Sequence, residues 1–197
     1  GKAIRGRGAP TGYSDGSYGY VEVTTGTAFQ VSVRDISAMV LFKAYRSKET
    51  ASYGIIAYKG RAFRFLLYLT GAIALEYFDE GGGSWVEVIG DAGAYTDGHL
   101  CAVGFSWDFA TKFVTYFRRS DAGDFTSTVD LSLIDLPFAD LGTEPWIFNG
   151  DSGGTLAGGG SDGLYLPWLD VDEFRAWSRT TTQAEFNLMA RRTIKPS

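Results

Sequence analysis

The sequence predicts an all-β chain: an antiparallel two-sheet sandwich with one short C-terminal helix. Three observations carry this. Apolar–polar alternation of period two recurs at roughly ten-residue spacing, as the short strands of a sandwich require. Turn and strand formers are plentiful: 26 Gly against 5 Pro, with 14 Phe, 11 Tyr and 5 Trp. Helical periodicity surfaces late, after Thr182. The 197 residues suffice for one such domain with a sizeable core.

Residues 1–19 stand apart as a Gly-rich arm with Lys2, Arg5 and Arg7. Such a segment is flexible alone. It is expected either to pack on its own domain as an edge strand or to dock on a neighbouring subunit. Residues 20–197 form the sandwich. Tyr20 to Val23, Phe29 to Val33, Ser37 to Tyr45 and Tyr53 to Tyr58 read as its first strands. Ala62 to Leu69 puts Phe63, Phe65, Leu67 and Leu69 on one face, and Ala72 to Phe78 puts Ile73, Leu75 and Tyr77 on one face. Thr70-Gly71 between them is a tight turn, the glycine supplying positive φ. Gly81-Gly82-Gly83 is a loop ahead of a strand from Trp85 to Ile89.

Leu100 to Trp107 and Lys112 to Arg118 form a second hairpin over Asp108 to Thr111. Phe125 to Leu133 alternates with Val129, Leu131 and Leu133 on one face, and Trp146 to Phe148 is a short strand before the glycine-rich loop 150–163. From Leu169 the chain alternates again. Asp172, Phe174 and Ala176 fall on one face, and Val171, Glu173, Arg175 and Trp177 on the other. Thr182 and Glu185 then make a capping box, with Phe186, Met189 and Ala190 on one helical stripe.

Composition excludes several functions. A formal charge of -5 argues against nucleic acid and anionic membrane as partners. No apolar run approaches the ~20 residues of a membrane span, and no signal peptide opens the chain. Cys101 is the single cysteine. An internal disulfide is therefore excluded, and its apolar surroundings predict a buried, inert thiol. One His and one Cys exclude the usual zinc sets.

The stretch Val171-Asp172-Glu173-Phe174-Arg175-Ala176-Trp177-Ser178-Arg179, followed by Thr182-Gln183-Ala184-Glu185-Phe186, resembles the end of concanavalin A-like, laminin-G-type jelly rolls. Tyr20-Val21-Glu22-Val23, Thr96-Asp97-Gly98-His99 into Leu100, and Pro145-Trp146-Ile147-Phe148-Asn149-Gly150-Asp151 are similar to further pieces of that family, in order. Thr181 departs from it, standing where the family has Leu. Pro167-Trp168 departs too, and suggests an edge strand or bulge. Tyr116 to Gly123 resembles the strand and Ser-Asp-x-Gly turn of such domains on bacteriophage virion proteins.

The resemblance implies a jelly roll and admits three functions. Glucanases of this fold carry Glu-x-Asp-x-x-Glu on one strand. Here Asp170 and Asp172 are expected to share a face with Glu173 opposed, and Arg175 replaces the last Glu, so no catalytic residue is assigned. A glycan site needs loop aromatics with polar neighbours: Tyr95 with Asp97, and Trp146 with Asn149 and Asp151, with Trp168 and Tyr165 as further candidates. Calcium is the ion the resemblance makes possible. Asp79, Glu80, Asp91, Asp97, Asn149, Asp151 and Asp162 supply oxygen, yet none has clustered ligand spacing, so no cofactor is expected. The leading expectation is a non-catalytic module of a larger assembly on a virion or extracellular surface, attached through the arm and with possible glycan adhesion. The alternative is a free-standing lectin.

Overall fold

The computed structural model describes residues 4–5, 21–23, 34–45, 53–59, 63–68, 70–79, 81–93, 95–133, 146–148 and 168–191. Twelve strands and one helix are described, in the order β1 (Ile4–Arg5), β2 (Val21–Val23), β3 (Ile36–Tyr45), β4 (Tyr53–Lys59), β5 (Phe63–Tyr68), β6 (Ile73–Asp79), β7 (Ser84–Asp91), β8 (Leu100–Asp108), β9 (Phe113–Ser120), β10 (Gly123–Asp130), β11 (Trp146–Phe148), β12 (Trp168–Trp177) and α1 (Gln183–Arg191). Sheet A runs β1-β12-β3-β8-β9-β10 and sheet B runs β2-β11-β4-β5-β6-β7. Neighbouring strands pair antiparallel throughout. The architecture is the expected antiparallel jelly roll. The strand expected from Phe29 to Val33 lies outside the described residues. Within the arm, Ile4 and Arg5 pair with Val171 and Asp170 of the chain's own β12.

The period-two alternation builds the space between the sheets. Val40 and Phe42 of β3, Phe63 and Phe65 of β5, Leu75 of β6, and Phe105 and Trp107 of β8 meet there with no more than 1% of their surface exposed. Phe63 and Phe105 pack at 4.8 Å between ring centroids. Gly71 takes φ 85°, and Tyr68 and Ala72 close the β5–β6 hairpin across it with an N–H···O bond of 2.9 Å. Cys101 is fully buried, and burial pushes its thiol far above its ordinary pKa, so it stays protonated and inert.

Helix α1 covers the outer face of sheet A. Phe186 and Ala190 pack on Met39, Leu41, Ala102 and Phe117, with Met189 partly buried beside them. Glycine at position 104 makes room: a Cβ there would lie 2.7 Å from the Ala38 carbonyl oxygen and 2.9 Å from the Phe186 ring. The capping box forms as expected. Glu185 N–H donates to Thr182 Oγ1 at 3.3 Å and Thr182 N–H to Glu185 Oε2 at 2.9 Å. Thr181, the departure from the family pattern, is buried, and its Oγ1 has no hydrogen-bond partner among the described residues.

Two elements differ from the expectation. Strand β10 ends at Asp130, whose carboxylate turns the chain by accepting from Ser132 N–H at 2.8 Å. Leu131 is buried, while Leu133 is 98% exposed rather than part of the strand's apolar face. In β12 the register against β3 shifts between Val171 and Glu173. This bulge absorbs Asp172. Val171, buried opposite Phe42, therefore faces the core with Phe174 and Ala176, and Asp170 falls in phase with Glu173 on the outer face rather than with Asp172. Glu173 is held by Arg175 Nε at 2.6 Å.

Candidate functional site

Sheet B turns its second face away from the core. Its polar and aromatic groups come from the alternate positions of three hairpin-linked strands. Register sets Arg64 opposite Glu76, Glu76 opposite Glu87, and Phe78 opposite Trp85. Leu66 and Ala74 lie on the same face and are covered by the chain, at 1% and 0% exposure. Arg64 and Glu76 are recessed with them, at 8% and 7%. Trp85 is half-buried and Glu87 exposed, forming a rim.

A charge this buried must be paired, because desolvating it alone costs several kcal/mol. Arg64 Nε donates to Glu76 Oε2 at 2.5 Å. Its guanidinium carbon lies 4.3 Å from the centre of the Trp85 ring, a cation–π contact. Phe78 meets Trp85 edge-on at 5.5 Å. The terminal N–H groups of the guanidinium have no hydrogen-bond partner among the described residues. Next along the face, the Tyr68 hydroxyl lies 3.5 Å from Glu87 Oε2. Burial, and then the Glu76 and Glu87 carboxylates, push the Tyr68 pKa up, which keeps it a neutral donor and acceptor. Chemically, the face offers an aromatic ring, a fixed set of donors and an exposed carboxylate. That combination holds polyhydroxylated rings, whose C–H faces pack on indole and whose hydroxyls both donate and accept.

Of the residues expected from the sequence, Tyr95, Asp97 and Trp168 lie elsewhere. Tyr95 is a core residue, 4% exposed and stacked on Phe42 at 5.4 Å. Its hydroxyl accepts from Ala44 N–H at 2.5 Å and donates towards the Ala44 and His99 carbonyls, each at 2.8 Å. That ring offers no platform, and the expectation of ligand contact at Tyr95 is corrected. Asp97 stands in the turn that Tyr95 anchors, where His99 N–H donates to Thr96 O and Gly98 N–H to Ala44 O. His99 pairs with Asp121, Nδ1 to Oδ2 at 2.9 Å, rather than with Asp97. Trp146 is placed by its backbone in β11, beside Lys59 in sheet B, and Trp168 in β12, beside Tyr45 in sheet A. These two positions are in different sheets. Asn149, Asp151 and Tyr165 lie outside the described residues.

For calcium, Asp79 accepts from Gly81 N–H and Asp91 is bound by Arg118. Among the described residues no three His, Cys, Asp or Glu side chains group as metal ligands. Glu80, Asn149, Asp151 and Asp162 lie outside them. Among the described residues no helix is long and apolar enough to cross a membrane.

No protein-family model matches the chain, and no curated protein matches it. Solved structures do. The chain is similar to the IT-sialidase CBM40 of Ruminococcus gnavus bound to α2,3-sialyllactose, with a TM-score of 0.60, 13% identity and 96% of each chain covered. It is similar to the NanB sialidase of Streptococcus pneumoniae (TM-score 0.58, 14% identity, 86% of this chain and 26% of that one). A third likeness is to the leech intramolecular trans-sialidase (TM-score 0.56, 12% identity, 90% and 28%). The chain thus spans nearly all of the CBM40 and about a quarter of each enzyme. At these identities what is shared is the fold, a jelly-roll sandwich.

Proposed function

We propose that this chain is a non-catalytic carbohydrate-binding module that holds a glycan on the outer face of sheet B. Arg64 is the observation that carries the reading: a recessed guanidinium, oriented by Glu76 and Trp85, whose terminal donors have no partner among the described residues and stand beside an exposed carboxylate. The likeness to CBM40 modules supports it, since one of those is bound to a sialylated sugar. The likenesses lend nothing to the virion-assembly expectation, so glycan binding moves ahead of it. An extracellular or virion-surface location is part of the same proposal, because that is where such a module meets its ligand.

A glycan array probed with the full chain and with Trp85→Ala tests this. The wild type is expected to bind a discrete set of glycans. The variant should lose tenfold or more in affinity, about 1.4 kcal/mol, with its fold retained because Trp85 is only half-buried. An array with no binding, or a Trp85→Ala chain that binds as well as wild type, would overturn the reading.

A further inference from the structure

We infer that the site on sheet B takes a neutral glycan in preference to its sialylated or otherwise anionic counterpart. The inference rests on the glycan-binding reading and goes against what the CBM40 likeness would suggest. Arg64 is the one cation among the described side chains of this face. Its charge is already met by Glu76, 2.5 Å away. Glu87 stands in register directly across from Glu76 on the same face and is exposed. Among the described side chains of this face, these three groups leave one negative charge, in a chain whose formal charge is -5.

A sugar carboxylate reaching for the Arg64 terminal N–H groups would displace no anion and would enter a field that repels it. It would also need a cation to offset its own desolvation, and Arg64 is already neutralised. A hydroxyl pair faces neither cost. One sugar oxygen can accept from Arg64, a neighbouring hydroxyl can donate to Glu87, and the ring's C–H face can lie on Trp85. Both donors and acceptors on the protein are then used.

The test is an array of matched pairs, each neutral oligosaccharide printed beside its sialylated form. It is probed with the full chain and with Glu87→Gln, at low and at raised salt. The neutral member of each bound pair is expected to be at least tenfold stronger. Glu87→Gln should narrow that gap, and raised salt should strengthen whatever binding the sialylated members show, since salt screens repulsion. Sialylated members that bind more tightly than their neutral partners, or that weaken as salt rises, would overturn this inference while leaving the module a carbohydrate binder. Absence of binding to every member would overturn both.

Discussion

Replacing Arg118 by alanine is expected to lower stability by about 3–5 kcal/mol, the cost of leaving a buried charge unpaired. Arg118 points from β9 into the space between the sheets, and Asp91 ends β7 in the opposite sheet, 6% and 5% exposed. The two meet side by side, Nε to Oδ2 at 2.5 Å and Nη2 to Oδ1 at 3.3 Å. Nη1 is spent on Ser120 Oγ at 2.8 Å and on the Gly123 carbonyl at 2.6 Å. The guanidinium therefore ties sheet A to sheet B and also fixes the β9–β10 turn. Burial alone would lower its pKa, but the Asp91 carboxylate outweighs burial and raises it, so the pair stays ionic. Removing only Arg118 strands Asp91. Removing both charges, as Asp91→Leu with Arg118→Met, should recover most of the loss, because apolar replacements need no partner. Urea unfolding of the three chains measures this. An Arg118→Ala loss under 1 kcal/mol would show that the pair is no clamp.

Phe186→Ala is expected to cost a similar amount, about 3–5 kcal/mol. The ring is 1% exposed, stacks on Phe117 at 5.2 Å, and fills the space that glycine at position 104 leaves open. Deleting it leaves a cavity under a nine-residue helix, a length too short to hold itself together in water. Helix α1 should detach or fray, exposing Met39, Leu41 and Ala102. Far-UV circular dichroism together with urea unfolding measures both effects. A loss below about 1 kcal/mol with α1 intact would contradict this account of the sheet A face.

Much of this was legible in the residues. Phe63, Phe65 and Leu67, with Ile73, Leu75 and Tyr77, announce two core-facing strands. Thr182 and Glu185 mark the helix start, because those signals are local. The bulge at Asp172 was not legible. Counting by twos assumes an unbroken ladder, so one absorbed residue carried Val171 and Asp170 to the wrong faces. Tyr95 misled for another reason. A tyrosine in a loop beside Asp97 reads as exposed, and only the distant Ala44 backbone shows where its hydroxyl goes. Arg64, Glu76 and Trp85 were missed although a signal existed. A hairpin centred on Thr70-Gly71 sets position 64 against position 76, so an Arg and a Glu must meet on the face away from the core. The complement of the apolar alternation holds the candidate site, and reading only the apolar half passed over it.

The central claim is that the glycan lies on the outer face of sheet B, over Arg64 and Trp85. Backbone and indole NMR shifts, followed while an array-selected oligosaccharide is titrated into the full chain, test it most directly. The account predicts that the largest shifts fall on Trp85, Arg64, Glu87 and their β6 neighbours, with the α1 face and the Tyr95–His99 turn unmoved. Saturable shifts centred instead on the Tyr95–His99 turn, or on Trp168 and Tyr45 in sheet A, would contradict it.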